Sequence, residues 1–566
     1  MRLRFLLSSL WLSLLFCSCD GERENLVAKG NKSYGGEISF VAPPINESWF
    51  PLNAHSVNEQ RLLSAIFEPF LRVDASGKIH SNIVKKVLIS QNGKKITLKM
   101  RKGVYFHPDA CFGNEYTEAT IDDYAFSLAI ACSGLKINQL GHVLTGKIEG
   151  SELFSKRTKA KWNEKLPSGI KIISDNTLEI KLTDAYPDFL LLLSHPSIVL
   201  LSKEAFTKYG NKITQHPVGT GPYYLASSTK QKTELYENEK YWKKDKFGNQ
   251  LPFIKTITIR HQLNHDKEYN LFSNGQIDWF AQLGVDQLEN SWGSLKEIQR
   301  NKKVLHQAIS QKGSLVHFVG MNCETAPFFD LRVRRAFLLT INRNELFNRV
   351  LNGDGNIDAP GFIPLNFGYK GASVKPIEFN PDEARRLMSD CGYYEGVGFP
   401  EIDFYYTAEN KSLTDYYCRY LKNTWERELG VKIKLRNVSY LERKKAILTG
   451  KAELFKSGWT ADYPSSEAYL GVFYSGNKGR NNENWNLINF KDFYFDRLYR
   501  QLLLEKDKQK KQLLLEKCDQ LLLDEAALIP LFTEDYFLLV NIRIRGFKIN
   551  ESGIIDFSNL YIKETK

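Results

Sequence analysis

Apolar and polar positions alternate with a period of two over residues 37–42 (EISFVA) and 95–100 (KITLKM), which predicts half-buried strands there. Similar patterns predict strands over 177–182, 254–260, 316–321, 402–406, 431–435 and 454–459. Apolar residues spaced three and four apart predict helices over 58–70, 122–131, 331–339, 381–390, 413–428 and 508–524. The helix at Pro381 opens well, because Asn380 caps it, proline takes the first position and Asp382 and Glu383 fill the first turn. Helix–strand units such as 413–435 argue for an α/β fold. The two LLLEK repeats at Leu502 and Leu513 predict one helical hairpin packed on a core, and the apolar run 189–193 ends at His195-Pro196, too short to span a membrane.

A chain of 566 residues exceeds what one core covers, so two or three domains are expected. Its formal charge of +12 comes from 77 basic and 65 acidic residues that are scattered rather than clustered. Runs such as Lys243-Lys244 and 508–511 read as solvated faces, so no nucleic-acid partner is expected.

The first residues read as an export address. Arg2 and Arg4 precede the apolar stretch 5–16, and 12 residues of helix reach only about 18 Å, short of a bilayer core of about 30 Å. Ser18 before Cys19 resembles the bacterial lipoprotein box, with Phe16 where leucine is usual. This makes Cys19 the expected lipid attachment site, at the end of a lipoprotein signal segment of residues 1–19. Asp20 resembles an inner-membrane retention signal, and residues 20–35 read as a flexible tether.

The remaining cysteines, Cys111, Cys132, Cys323, Cys391, Cys418 and Cys518, are too sparse for the fold to rest on disulfides. Cys111 and Cys132 flank one segment and can pair, but sequence does not choose the partners. No metal spacing, Walker loop, G-x-S-x-G elbow or H-E-x-x-H is present, so no metal, cofactor or catalysis is expected. His261 and His265 follow a strand and lack a third ligand. Gly219-Thr220-Gly221-Pro222 leads into the β-forming Tyr223-Tyr224-Leu225 and reads as a tight turn, while Asp122-Asp123 reads as a helix start.

Gly458-Trp459-Thr460-Ala461-Asp462-Tyr463 sets a carboxylate among aromatics at the end of an apolar run. Taken alone, Asp462 is either a solvated turn residue or a partner for a buried cation. The rest of the chain bears on that choice. Ile66-Phe67-Glu68-Pro69-Phe70-Leu71, the segments 98–106 (LKMRKGVYF) and 119–127 (ATIDDYAFS), Pro217 to Tyr223 (PVGTGPY) and 236–242 (YENEKYW) occur in order. Asn274 to Asp278 (NGQID), Asn322, 329–336 (FDLRVRRA), Ile341-Asn342-Arg343, Gly361-Phe362-Ile363-Pro364 and Ile529-Pro530-Leu531 follow. Together they resemble the bacterial extracellular solute-binding proteins of family 5, the peptide-binding components of ABC importers. A departure is the insertion 109–118 containing Cys111.

The resemblance implies a two-lobed periplasmic-binding-protein type II fold with an inserted domain and a ligand cleft between the lobes. It maps lobe I to 36–53, 186–290 and 515–566, the inserted domain to 54–185 and lobe II to 291–514. It also implies that Asp462 pairs with a peptide's terminal ammonium, that Gly458 and Thr460 meet its backbone, and that His55, Ser56 and Val57 face it from the other lobe. Leaving such a carboxylate unpaired in a closed cleft would cost on the order of 3–5 kcal/mol. Trp459 and Tyr463 pack either on ligand or on core, and Arg480 reads as a solvated loop charge.

The expected function is therefore capture of short peptides by an exported, lipid-anchored monomer, periplasmic or outer-surface. It would deliver them to a membrane permease and its ATPase subunits. Alternatives are the same fold carrying a metal chelate, haem, glutathione or sugar, and a surface adhesin or sensor without transport. A lipoprotein hydrolase is more distant.

Overall fold

The computed structural model describes residues 27–45, 48–54, 56–74, 78–90, 92–162, 165–261, 265–281, 306–408, 412–461, 463–477, 486–550 and 552–563. Cys19, His55, Asp462 and Arg480 lie outside the described residues. Helix starts follow local chemistry. Ser56 and Glu59 form a reciprocal capping box on the helix Val57–Ile66, and Thr120 and Asp123 do the same on Ile121–Ala131. Asn380 accepts from the Glu383 N–H to cap Pro381–Asp390. The first of these helices was expected to reach residue 70 but stops at Ile66. Pro69 bars helical backbone at Glu68, and Phe67 is already extended.

Three sheets carry the architecture. A four-stranded sheet has the order Tyr223–Ser228, Lys232–Glu237, Thr256–Arg260, Glu37–Val41, its last pair parallel. A second, antiparallel, has the order Ile170–Ser174, Thr177–Lys181, Lys95–Met100, Val84–Ile89. The third is six-stranded: Trp279–Ala281, Leu528–Asn541, His306–Met321, Leu454–Trp459, Ile402–Tyr406, Ile433–Asn437. One of its faces buries Val319, Phe337, Phe404, Leu421 and Trp425, whose indole donates to the Phe337 carbonyl at 3.2 Å. Its other face joins Phe455, Phe362, Phe473 and Leu515 to the larger core.

The two central strands of this sheet are long, 16 and 14 residues, and pair antiparallel from His306↔Asn541 to Gly320↔Leu528. Only 316–321 was predicted as strand in the first of them, because its earlier half (HQAISQKGS) is polar and lacks alternation. The ladder is interrupted between Gln311 and Leu315, where a Cβ at Gly313 would overlap the Glu534 carbonyl. At one end Asp278 ties this sheet to the first: it accepts from the Ser39 N–H at 2.8 Å and the Arg543 Nε–H at 2.7 Å. The LLLEK repeats form the predicted hairpin, Phe493–Leu504 and Lys508–Asp524, with Leu502 and Leu515 buried but Leu513 exposed. The expected boundary between 514 and 515 falls inside the second of these helices, whose Leu515, Cys518 and Leu522 share one buried face.

Glu68 sits at a buried polar junction. Its carboxylate accepts from the Tyr241 hydroxyl (2.9 Å), the Trp242 indole (2.9 Å) and the Thr220 hydroxyl (3.2 Å). Gly219 and Gly221 let the turn press onto the end of the helix Val57–Ile66, with the Gly221 N–H on the Ile66 carbonyl at 2.8 Å. The insertion 109–118 is a hairpin, a short turn at Ala110–Phe112 followed by the strand Glu115–Glu118. All six cysteines among the described residues are free, so Cys111 and Cys132 do not pair: Cys111 lies in that turn and Cys132 is buried at the end of the helix Ile121–Ala131. No described helix is long and apolar enough to cross a membrane.

Burial pushes the Glu68 carboxyl up to about 7 from an ordinary 4.5. The folded state therefore holds a proton that the unfolded chain has lost. This contribution is greatest below about pH 4.5 and disappears as pH rises through about 7, a swing on the order of 3 kcal/mol. Thermal melts from about pH 5 to about pH 8 are expected to show stability falling with pH, and Glu68→Gln to remove part of that slope. An unchanged slope in the variant contradicts the assignment.

Candidate functional site

The strand Leu454–Trp459 pairs antiparallel with the long strand, Gly458 opposite His317 and Trp459 opposite Val316. A Cβ on Gly458 would lie 3.0 Å from Leu315 Cδ1, so glycine keeps this strand edge free of a side chain of its own. Trp459 is half-buried against the larger core. The chain then leaves the sheet at Thr460. The Thr460 hydroxyl oxygen is buried and has no hydrogen-bond partner among the described residues, an arrangement that costs about 1–3 kcal/mol unless another group fills it.

A tyrosine braces the next residue. The Tyr469 hydroxyl donates to the Ser314 carbonyl at 2.6 Å, inside the interruption of the long ladder, and also bonds the Ala461 backbone. Asn366 Nδ2 reaches that hydroxyl at 3.5 Å and the Gly313 carbonyl at 3.3 Å. The exit of the Leu454–Trp459 strand is thus fixed to the point where the two long strands bulge. Tyr463 is buried, and its hydroxyl is committed to Glu467, which also accepts from Tyr499 at 3.2 Å. Burial pushes the Glu467 carboxyl up to about 7. Of the two roles open to Tyr463, this is core packing.

Val57 is the first residue of its helix and Ser56 its cap, so the Val57 N–H lies in the first turn, where backbone donors have no intrahelical acceptor. One turn on, the Arg61 Nε–H donates to the Gly553 carbonyl at 2.8 Å and the guanidinium stands 5.9 Å from the Tyr536 ring. The helix thereby touches the second long strand.

Sequence reasoning missed a charged group on these strands. His317 Nε2 lies 3.0 Å from Glu534 Oε2. Lys456, two residues before Gly458, stands 5.9 Å from the Tyr417 ring, and burial pushes its ammonium down to about 8. Arg443 donates to the Lys456 carbonyl at 3.1 Å, and Glu534 partly offsets the effect of burial on Lys456. The signal available in the sequence was Thr533-Glu534-Asp535, polar residues interrupting an otherwise apolar strand. In the basic run 508–511, residues 508–510 are exposed as read, but Lys511 is half-buried and pairs with Asp188. His261 is satisfied by Thr233 at 2.9 Å and the Ala42 carbonyl at 2.8 Å, and no group of metal-ligating side chains occurs among the described residues.

Comparison with known proteins places this geometry. The family described as bacterial extracellular solute-binding proteins, family 5 Middle, matches residues 78–481. The glutathione-binding protein GsiB of Salmonella choleraesuis is 21 % identical over 527 residues, 91 % of this chain and 92 % of the relative. The Escherichia coli murein tripeptide binding protein MppA superposes with a TM-score of 0.79 at 18 % identity, over 94 % of this chain and 100 % of that one. The Helicobacter pylori periplasmic binding protein DppA, solved with the peptide STSA, gives 0.78 at 18 % identity, covering 94 % and 99 %. The shared architecture is the two-lobed solute-binding fold, and the chain belongs to the bacterial extracellular solute-binding proteins of family 5.

Proposed function

We propose that this protein is the substrate-binding component of an ABC importer that captures short peptides between its lobes and hands them to a membrane permease and its ATPase subunits. Family membership supports binding rather than catalysis. The observation that carries the peptide reading is the unsatisfied Thr460 hydroxyl beside the side-chain-free Gly458, at a strand exit that leads directly to Asp462. A glycine-flanked strand end offers backbone groups to another extended chain, which reads a peptide without reading its side chains. Asp462 then supplies a charge-assisted partner for the terminal ammonium. From the opposite side, the first turn of the helix at Val57, with His55 before it, offers backbone donors.

Lobe I is assigned to 36–53, 186–290 and 515–566, the inserted domain to 54–185, and lobe II to 291–514. Export by the signal segment and lipid attachment at Cys19 would hold the monomer at a membrane beside its permease. The glutathione-binding relatives favour one variant of the same reading, because glutathione is itself a short peptide with a free amine.

In calorimetric titrations with tri- to pentapeptides, Asp462→Ala is expected to weaken binding by about 100-fold or more. N-acetylation of the peptide should cost the wild type as much and the variant little further. Equal binding of acetylated and free peptides by the wild type would remove Asp462 from the ammonium role.

Thr460→Val separates ligand contact from stability. With no partner to lose among the described residues, the variant is expected to melt at or above the wild-type temperature while binding peptide several-fold more weakly. Unchanged affinity would mean that the hydroxyl does not face the ligand.

A further inference from the structure

Asp188 stands just before the short helix Phe189–Leu192, at the cap position where aspartate normally accepts from its own helix, yet its carboxylate makes no such bond. The segment is firmly seated on the part of the molecule that holds Glu68: the Leu71 N–H donates to the Leu193 carbonyl at 3.0 Å and the Leu200 N–H to the Glu68 carbonyl at 3.1 Å. The Asp188 carboxylate instead reaches across. One oxygen pairs with the Lys511 ammonium and takes the Ser465 hydroxyl at 3.5 Å.

In the lobe assignment proposed above, both partners belong to the opposite lobe. Lys511 lies in the helix Lys508–Asp524, which is held to the Phe362 N–H at 2.7 Å and the Tyr369 hydroxyl at 2.8 Å through Asp519. Ser465 lies three residues beyond Asp462 and two before Glu467, the acid that binds Tyr463. Within its own helix the acid at the start is the cap Asp507, whose carboxylate is taken up by the Gln509 and Lys510 N–H groups at 3.0 and 2.9 Å, and the Lys511 ammonium pairs with Asp188 instead.

We propose that Asp188 is a positioning residue, a latch that fastens the segment behind the ligand anchor to the facing body when the lobes are together. This inference rests on the peptide-binding reading above. The latch makes no contact with ligand. It biases the molecule toward the closed state, and a ligand bridging the lobes then has less to supply. Both side chains are partly exposed, 29 % for Asp188 and 21 % for Lys511, so the bias is modest and screened by salt.

The test is charge reversal across the seam, read in the full chain by peptide affinity, dissociation rate, melting temperature and the small-angle scattering radius of the ligand-free protein. Asp188→Lys and Lys511→Asp are each expected to weaken binding by roughly three- to tenfold, mostly through faster release, and to enlarge the ligand-free radius with little change in melting temperature. The double variant is expected to recover both. Single variants that bind and scatter like the wild type, or a double variant that recovers neither, overturn the latch. If the wild type binds no peptide, the functional reading fails separately, and the scattering comparison of single and double variants still decides whether Asp188 holds the lobes together.

Discussion

The antiparallel pairing of His306–Met321 with Leu528–Asn541 is the constraint on which the rest of the molecule depends. Its far end is tied through Asp278 and Trp279 to the first sheet, where the Trp279 ring stacks on Phe40 at 4.1 Å. Its near end carries the Leu454–Trp459 strand and the second core. A two-stranded bridge between two bodies can flex where its ladder is broken, and the break lies at Gly313, where side chains are excluded. Tyr469 bonds the Ser314 carbonyl inside that break and the Ala461 backbone beyond the Leu454–Trp459 strand, so the exit of that strand is tied to the point where the ladder is interrupted.

Buried ionisable groups line the same region, and their behaviour follows from desolvation. Lys456 is held down to about 8 and Glu467 up to about 7, each moved toward its neutral form because burial disfavours charge. His317 and Glu534 pair beside Lys456, and Arg61 brings a further cation to Tyr536 and Glu534. Such groups stay buried at modest cost because they are neutralised or paired within the protein.

Much of the architecture was legible in the sequence because period and caps agree with the tertiary fold. The strands 95–100, 402–406 and 454–459 and the helices 331–339, 381–390 and 508–524 stand where the pattern places them. The long strand His306–Met321 was only partly legible, since a strand exposed along half its length need not alternate. Several of the family motifs encode junctions within the fold. Glu68, Thr220, Tyr241 and Trp242 meet in one buried knot, and Arg334 satisfies the carbonyls of Phe328 and Glu525, both at 2.9 Å. Motifs of this kind identify the fold strongly and the cargo weakly. The charged cross-seam contacts of Asp188, Lys511, Glu534 and Lys456 were not legible, because they join residues far apart in the chain and each looks alone like an ordinary surface charge.

Native mass spectrometry of the protein purified without denaturation tests the central claim most directly, because it weighs whatever the cleft has retained. The account predicts bound species of mixed mass within a narrow range of peptide lengths, releasable as peptides with free amino termini. A single non-peptide mass, or an empty protein that takes up no added peptide, would contradict it.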